Sequence, residues 1–320
     1  MTFVVEHMPH TEGRMILEQR YGAAQIAVRA TDELLLCAHS RSASTVNAIR
    51  RDIFKTGWNI IRHKQAVGSL VNLLSGLLHN LDSAGTVTDL QATVETTLAS
   101  FRHRLNQGVP DTAVQSMSVL SDCRRIILYG YSTTVLYALQ HALRNGHRID
   151  VLCVSGNNQE AHQALIERIA AIGLTVTSQQ YAAVTSFIGG VDAVVVGADS
   201  LDVCGLTNTA GTRSLASLAY SAHIPFYTFC TSEKLLPNDF FYGEQQSWPF
   251  DDTPSSIADA APTTFDITPI ERVTGVITER GSLPAPALEA WLAAERIHPW
   301  LSGRGSVLDL HQSLQTESQM

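Results

Sequence analysis

From about residue 122 onward, short β-branched runs alternate with amphipathic helical stretches, and no other feature of the chain limits its fold as much. The runs are "RIILYGY", "DVLCVSG", "LTVTSQ", "DAVVVGAD", "PFYTFC" and "VTGVIT". Nearly continuous apolar strands with helical lengths between them belong to a parallel sheet covered on both faces. One intervening stretch, "NNQEAHQALIERIAAIG", ends at Gly173 just before the next strand, as helices commonly end. In open sheets of this kind a ligand sits at the carboxyl ends of the strands. Asp199 follows "AVVV" at such an end, and that is where the architecture places chemistry.

Between about residues 12 and 120 the apolar residues recur at helical spacing, as in "ILEQRYGAAQIAVRATDELLLCA" and "VGSLVNLLSGLLHNL". This half is expected to be a helical bundle over 1–121, followed by a Rossmann-like domain over 122–320 with a mostly parallel sheet: an α/β protein. Ser44, Thr86 and Asp111 are expected helix starts, because short oxygen-bearing side chains accept the first free amide hydrogens. Residues 237–269 are rich in Pro, Ser and Asp and read as a long ordered loop anchored by Phe240, Tyr242 and Trp248. The last residues, "SLQTESQM", read as a frayed tail.

At 320 residues with 45% hydrophobic content, the chain can fill a sizeable core. No apolar run approaches the roughly 18 residues of a membrane span, and the first residues lack the layout of a secretory signal, so a cytoplasmic location is expected. The cysteines, at 37, 123, 153, 204 and 230, form no CxxC pair. The histidines are scattered, His7 and His10 being the one close pair, and neither a structural metal nor a cofactor is expected. A net charge of −8 opposes general binding to phosphate backbones, which makes nucleic acid an unexpected partner. One segment runs against that balance: Arg41, Arg50, Arg51, Lys55, Arg62 and Lys64 accompany a single acid, Asp52. It reads either as a solvated helix face or as an anion or subunit contact.

Three places hold residues that carry chemistry. Asp199 reads as an acid, a base or a ligand anchor, or as a carboxylate capping its own loop. The turn Tyr129–Val135 leads from the first strand into a helix, so its amides and the hydroxyls of Ser132, Thr133 and Thr134 suit a phosphate, or simply cap that helix. The turn has neither the GK[ST] of a Walker loop nor a GxGxxG. "GTRS", beginning at Gly211 and Thr212, is a second anion cradle of the same kind. Cys204, five residues beyond Asp199, is expected to share its pocket, although nothing nearby in sequence lowers the thiol pKa.

The stretch "VVVGADSLDVCGLTNTAGT", then "SLASLAYSAHIPFYTFCTSEK" and "FDITPIERVTGVITERG", resembles one superfamily over nearly the whole chain. It is similar to the α, β and δ regulatory subunits of eukaryotic initiation factor 2B and to their enzyme relatives, ribose-1,5-bisphosphate isomerase and methylthioribose-1-phosphate isomerase. Gly197, Ala198, Asp199, Gly205, Asn208, Gly211 and Thr212 carry one motif. Phe265, Asp266, Thr268, Pro269, Ile277, Thr278 and Gly281 carry the other. The resemblance implies a helical N-terminal domain, a phosphosugar or nucleotide pocket between the domains, and a homodimer or larger homo-oligomer. In the isomerases a Cys after the first strand and the Asp of the GAD motif carry the proton transfers. Here Asp199 is present, while the Cys position falls on Tyr131, a phenol too weakly acidic to replace an activated thiol at neutral pH. The motif's Asn-Gly is Cys204-Gly205 and its Lys is Thr209. An arginine that many relatives carry after the second strand is missing from "SGNNQ". Arg41, in "SRSASTVNAI", corresponds to the arginine of the isomerases' N-terminal phosphate loop.

Two readings follow. One is a regulatory or divergent initiation-factor-2B-like protein that binds a phosphorylated sugar or a nucleotide. The other is an aldose–ketose isomerase acting on a sugar 1-phosphate such as ribose 1,5-bisphosphate, with Asp199 and Cys204 as its catalytic residues. Arg41, Tyr131, Ser132, Thr133, Thr134, Asn208, Gly211 and Thr212 are the expected ligand-binding residues under both.

Overall fold

The apolar periodicity of the first half forms four helices, α1 (Ala23–Ala38), α2 (Val46–His63), α3 (Gly68–Leu81) and α4 (Val87–Gln115), in a computed structural model that describes residues 23–39, 45–63, 68–156, 159–237, 240, 265–294 and 296–301. Their inward faces share one core that includes Leu34, Ile53, Leu74, Leu77 and Phe101. Thr86 caps α4, its hydroxyl accepting the Asp89 amide hydrogen at 3.1 Å. At α2 the cap is Thr45, which accepts from the Ala48 amide, and Ser44 lies outside the described residues. Asp111 does not start a helix: α4 runs through Pro110 into its final turns, with Val109, Thr112 and Ala113 buried around the proline. A short α5 (Met117–Leu120) leads into the sheet.

The rest alternates as its sequence pattern requires: β1 (Arg125–Tyr129), α6 (Thr133–Arg144), β2 (Asp150–Ser155), α7 (Gln159–Ile172), β3 (Val176–Gln180), α8 (Val184–Phe187) and β4 (Ala193–Val196). A β5 (Ser200–Asp202) and β6 (Gly205–Thr209) hairpin follows, then α9 (Thr212–Ser221), β7 (Phe226–Phe229), β8 (Phe265–Thr268), β9 (Gly275–Thr278), β10 (Gly281–Leu283) and α10 (Ala285–Ala294). The large sheet has the order β10-β9-β7-β4-β1-β2-β3, parallel except for β10. Ile127, Val194 and Val196 face α9 and α10 on one side, while Ile126, Leu128 and Val195 face α6 and α7 on the other. This is the Rossmann-like, doubly covered sheet that the runs of β-branched residues imply.

Strand order reverses between β1 and β4. Successive strands are added outward from β1 in one direction through β2 and β3, and in the other through β4, β7 and β9. Such a switch point leaves a crevice at the carboxyl ends of the two central strands. Beside it stands a small antiparallel sheet, β5-β6-β8. Its third strand corrects the reading of 237–269 as loop throughout, since Phe265–Thr268 pairs with β6. Of that loop's expected anchors, Phe240 is buried in the helical core, whereas Tyr242 and Trp248 lie outside the described residues. The chain finally returns to the helices, with Ile297 and Leu301 buried among them. No described helix is long and apolar enough to cross a membrane.

Candidate functional site at the switch point

Asp199 leaves β4 directly at the crevice. Its amide donates to the Thr207 carbonyl at 3.0 Å, and its own carbonyl accepts from the Gly68 amide, the first residue of α3, at 2.9 Å. The start of α3 is therefore bonded to the main chain at Asp199. That contact is close: a Cβ on Gly68 would lie 2.6 Å from the Lys234 carbonyl oxygen, so no larger residue fits. Asn72, one turn further along α3, donates to the carbonyls of Glu233 and Leu235, each at 2.8 Å, and ties the helix to the turn carrying Lys234.

Lys234 is the partner that sequence reasoning missed. Only 5% exposed, it donates through Nζ to the Ala198 carbonyl, and its charge acts on the neighbouring Asp199. Burial pushes the Asp199 carboxyl up to about 6, against the opposing pull of Lys234. A group with that value exchanges protons readily near neutral pH. Cys230, fully buried at the end of β7, feels the same ammonium, yet burial dominates and pushes its thiol up to about 12. The signal for Lys234 was weak in sequence because "TSEK" reads as a solvated turn.

The end of β1 forms the opposite wall. Ser132 caps α6, its hydroxyl accepting from the Val135 amide, and it presses on Gly197, where a Cβ would lie 2.6 Å from the Ser132 side chain. The Gly197 carbonyl accepts from the Thr228 hydroxyl at 2.9 Å. Thr133 Oγ1 is buried without a hydrogen-bond partner, and Thr134 is buried beside it. Tyr131 packs against the hydrophobic core of the sheet's other face, the one lined by Leu128 and Val135. The residue that faces the loop after β6 is Gly130, at φ 77°, whose absent Cβ would lie 3.2 Å from Thr209 Oγ1.

The start of α9 is already occupied from within. Asp266 on β8 accepts the amide hydrogens of Gly211, at 2.7 Å, and Arg213, at 3.2 Å, so a carboxylate of the chain fills the "GTRS" cradle. Asn208 donates to the Thr212 hydroxyl, which in turn donates to the Thr209 carbonyl at 2.6 Å. Two phenols fasten the same loop: Tyr129 donates to the Ala210 carbonyl at 2.5 Å and Tyr181 to the Gly211 carbonyl at 2.6 Å. Burial pushes the Tyr129 phenol up to about 12, which keeps it a donor.

Cys204 stands at the turn of the β5–β6 hairpin, with its amide donating to Asp202 Oδ1 at 2.7 Å. The three residues of β5 carry it about 10 Å from Asp199, at about 3.3 Å per strand residue. β5 thus stands between these two residues. Asp202, which the sequence did not single out, is 2% exposed, and burial pushes its carboxyl up to about 6 with one oxygen lacking a partner. Arg41 lies outside the described residues. From its basic segment, Arg50 caps the end of α3, its Nε donating to the Leu81 carbonyl at 3.0 Å.

Comparison with known proteins places this geometry. The profile of the Initiation factor 2 subunit family matches residues 19–285. The chain is 26% identical over 279 residues to a ribose 1,5-bisphosphate isomerase of Haloferax volcanii, covering 83% of this chain and 85% of that protein. It is 27% identical to a methylthioribose-1-phosphate isomerase of Chloroflexus aurantiacus, covering 84% of this chain and 82% of that protein. Among solved structures, the translation initiation factor eIF-2B of Pyrococcus horikoshii OT3 superposes with a TM-score of 0.72 at 22% identity, over 84% of this chain and 94% of that one. A chain of the tetrameric eIF2B-beta2-delta2 complex from C. thermophilum does so with a TM-score of 0.68 at 19% identity, over 85% and 88%.

Proposed function

Because the chain belongs to the Initiation factor 2 subunit family, and relatives named as sugar-phosphate isomerases match most of its length, we propose that it converts a phosphorylated aldopentose to its ketose. The observation that carries this reading is Asp199: a carboxyl near 6, at the strand-order switch point, its main chain bonded to the start of α3, beside a buried lysine. Aldose–ketose conversion removes a proton from C2 and delivers one to C1, with the oxygen-bound protons redistributed and no atom gained or lost. One carboxylate that is stable in both protonation states can carry both transfers. Lys234 supplies positive charge for the enediolate oxygen or the phosphate. The α6 N-terminus with Ser132, Thr133 and Thr134, together with Arg41, holds the phosphate in this reading. Asn208, Gly211 and Thr212 shape the loop through the bonds they make with one another and with Asp266.

A second reading, a regulatory subunit that binds a sugar phosphate or nucleotide without turnover, is favoured by a specific observation. The end of β1 offers Gly130 to the crevice and packs Tyr131 on the other face, so no thiol stands there, and Cys204 lies at the hairpin turn. We take the active unit in both readings to be a cytoplasmic homodimer or larger homo-oligomer, which light scattering tests directly. The deciding experiment incubates the protein with ribose 1,5-bisphosphate and follows the products. Conversion to the ketose that is lost in Asp199→Asn supports the first reading. A raised melting temperature with the sugar unconsumed supports the second.

A further inference from the structure

Outside the switch point, the described residues bring potential metal ligands together at one place. His79 lies in the last turn of α3 and Asp82 just beyond it, and their spacing of three sets both on one side of the helix. His298 arrives from the chain's return over the helices, 216 residues away from Asp82 in sequence. It is fixed there by its main chain: the His298 amide donates to Ser75 Oγ at 2.9 Å, and Ile297 and Leu301 on either side are buried. His298 Nε2 lies 3.3 Å from Asp82 Oδ2, the rings of His79 and His298 are 4.8 Å apart at 70°, and one ligand atom from each residue falls within 4.8 Å of the others.

We propose that His79, Asp82 and His298 form a site for a divalent transition metal of the zinc class, which ties the chain's return to the end of α3. Two imidazoles and a carboxylate are a ligand set that zinc accepts, and its lack of geometric preference tolerates a solvent molecule as the fourth ligand. Bonds of about 2.0 to 2.1 Å place tetrahedral ligands roughly 3.3 Å apart. The gap closes by rotation of His79 and Asp82, which are both exposed, onto His298, which is 4% exposed and held in place. Arg50 already occupies the Leu81 and Ala84 carbonyls, so Asp82 supplies the site's negative charge.

Occupancy carries a conformational consequence. Without metal, His298 Nδ1 accepts the Trp300 amide hydrogen at 3.2 Å, which places the ring proton on Nε2, toward Asp82. A metal at Nε2 displaces that proton to solvent, Nδ1 takes one up, and the Trp300 amide loses its acceptor. The Trp300 ring packs edge-on to both His298 and Phe54, so the site reports on how the return segment is docked. It is separate from Asp199: Gly68 and His79 lie eleven residues apart on α3, about 16 Å along the axis.

The test is a calorimetric titration of the full chain, stripped with chelator, with Zn²⁺. One saturable equivalent is expected, with a higher melting temperature. His79→Ala, which leaves the His298–Asp82 bond intact, and Asp82→Asn are each expected to weaken binding by roughly tenfold or more. A variant with His7 and His10 both changed to Ala is expected to bind unchanged. No saturable equivalent, or unaltered binding by His79→Ala and Asp82→Asn, would overturn the proposal.

Discussion

Replacing Asp199 by Asn is expected to make the protein more stable and inactive together, with a pH signature that only a desolvated acid produces. The carboxyl titrates near 6 in the folded chain, against an ordinary value of 3.8. Below both values it is protonated in either state and contributes nothing. Between them the folded state holds the extra proton, so stability falls as pH rises; above 6 the full penalty of a charged desolvated group is in place. A gap of about two units, at about 1.4 kcal/mol each, is a penalty of about 3 kcal/mol. Asn imitates the neutral acid and escapes it. Urea denaturation of parent and variant in parallel therefore measures a stability difference that grows from about 1 kcal/mol near pH 4.5 to about 3 kcal/mol near pH 8. A difference that stays flat across that range, or favours the parent at high pH, refutes the claim that desolvation outweighs the pull of Lys234 at Asp199.

The parent's kcat/KM is expected to rise about tenfold per pH unit below 6 and then level off, as for a single base, read in a pH–rate profile. Lys234→Met removes the charge that holds the Asp199 value down, so the midpoint of that profile should move to higher pH. Asp266→Ala uncaps α9 and is expected to cost about 1 to 2 kcal/mol in denaturation. Gly205→Ala should cost about 3 kcal/mol or more and reduce folded yield, since φ is 135° and the new Cβ would lie 2.1 Å from the Thr268 carbonyl oxygen.

What the sequence made legible is what period and burial encode. The runs at β1, β2, β4, β7 and β9 are apolar on both sheet faces, so their strands and the helices between them could be read directly. Asp199 could be placed for the same reason, as the first charge after a buried run. The β5–β6 hairpin escaped because "SLD" and "GLTNT" are short and polar, and β8 because it draws its register from β6 across 56 residues or more. With that strand came Asp266, which fills the start of α9 that sequence alone offered as an anion cradle. Lys234 and Asp202 look like surface charges in sequence, since only tertiary packing buries them. Asp111 reads as a helix start because its short oxygen-bearing side chain suits a cap, but α4 runs on through Pro110 with Val109, Thr112 and Ala113 buried around it. The pairing of His79 with His298 depends on the chain's return and has no local signature.

The central claim is that a desolvated carboxyl at the strand-order switch moves a sugar proton. The direct measurement is carbon NMR of ribose 1,5-bisphosphate with the parent and with Asp199→Asn in heavy water. The parent should yield the ketose bisphosphate while the folded variant yields none. A ketose formed equally by the variant, or a sugar left unchanged by a parent that binds it, would contradict the account.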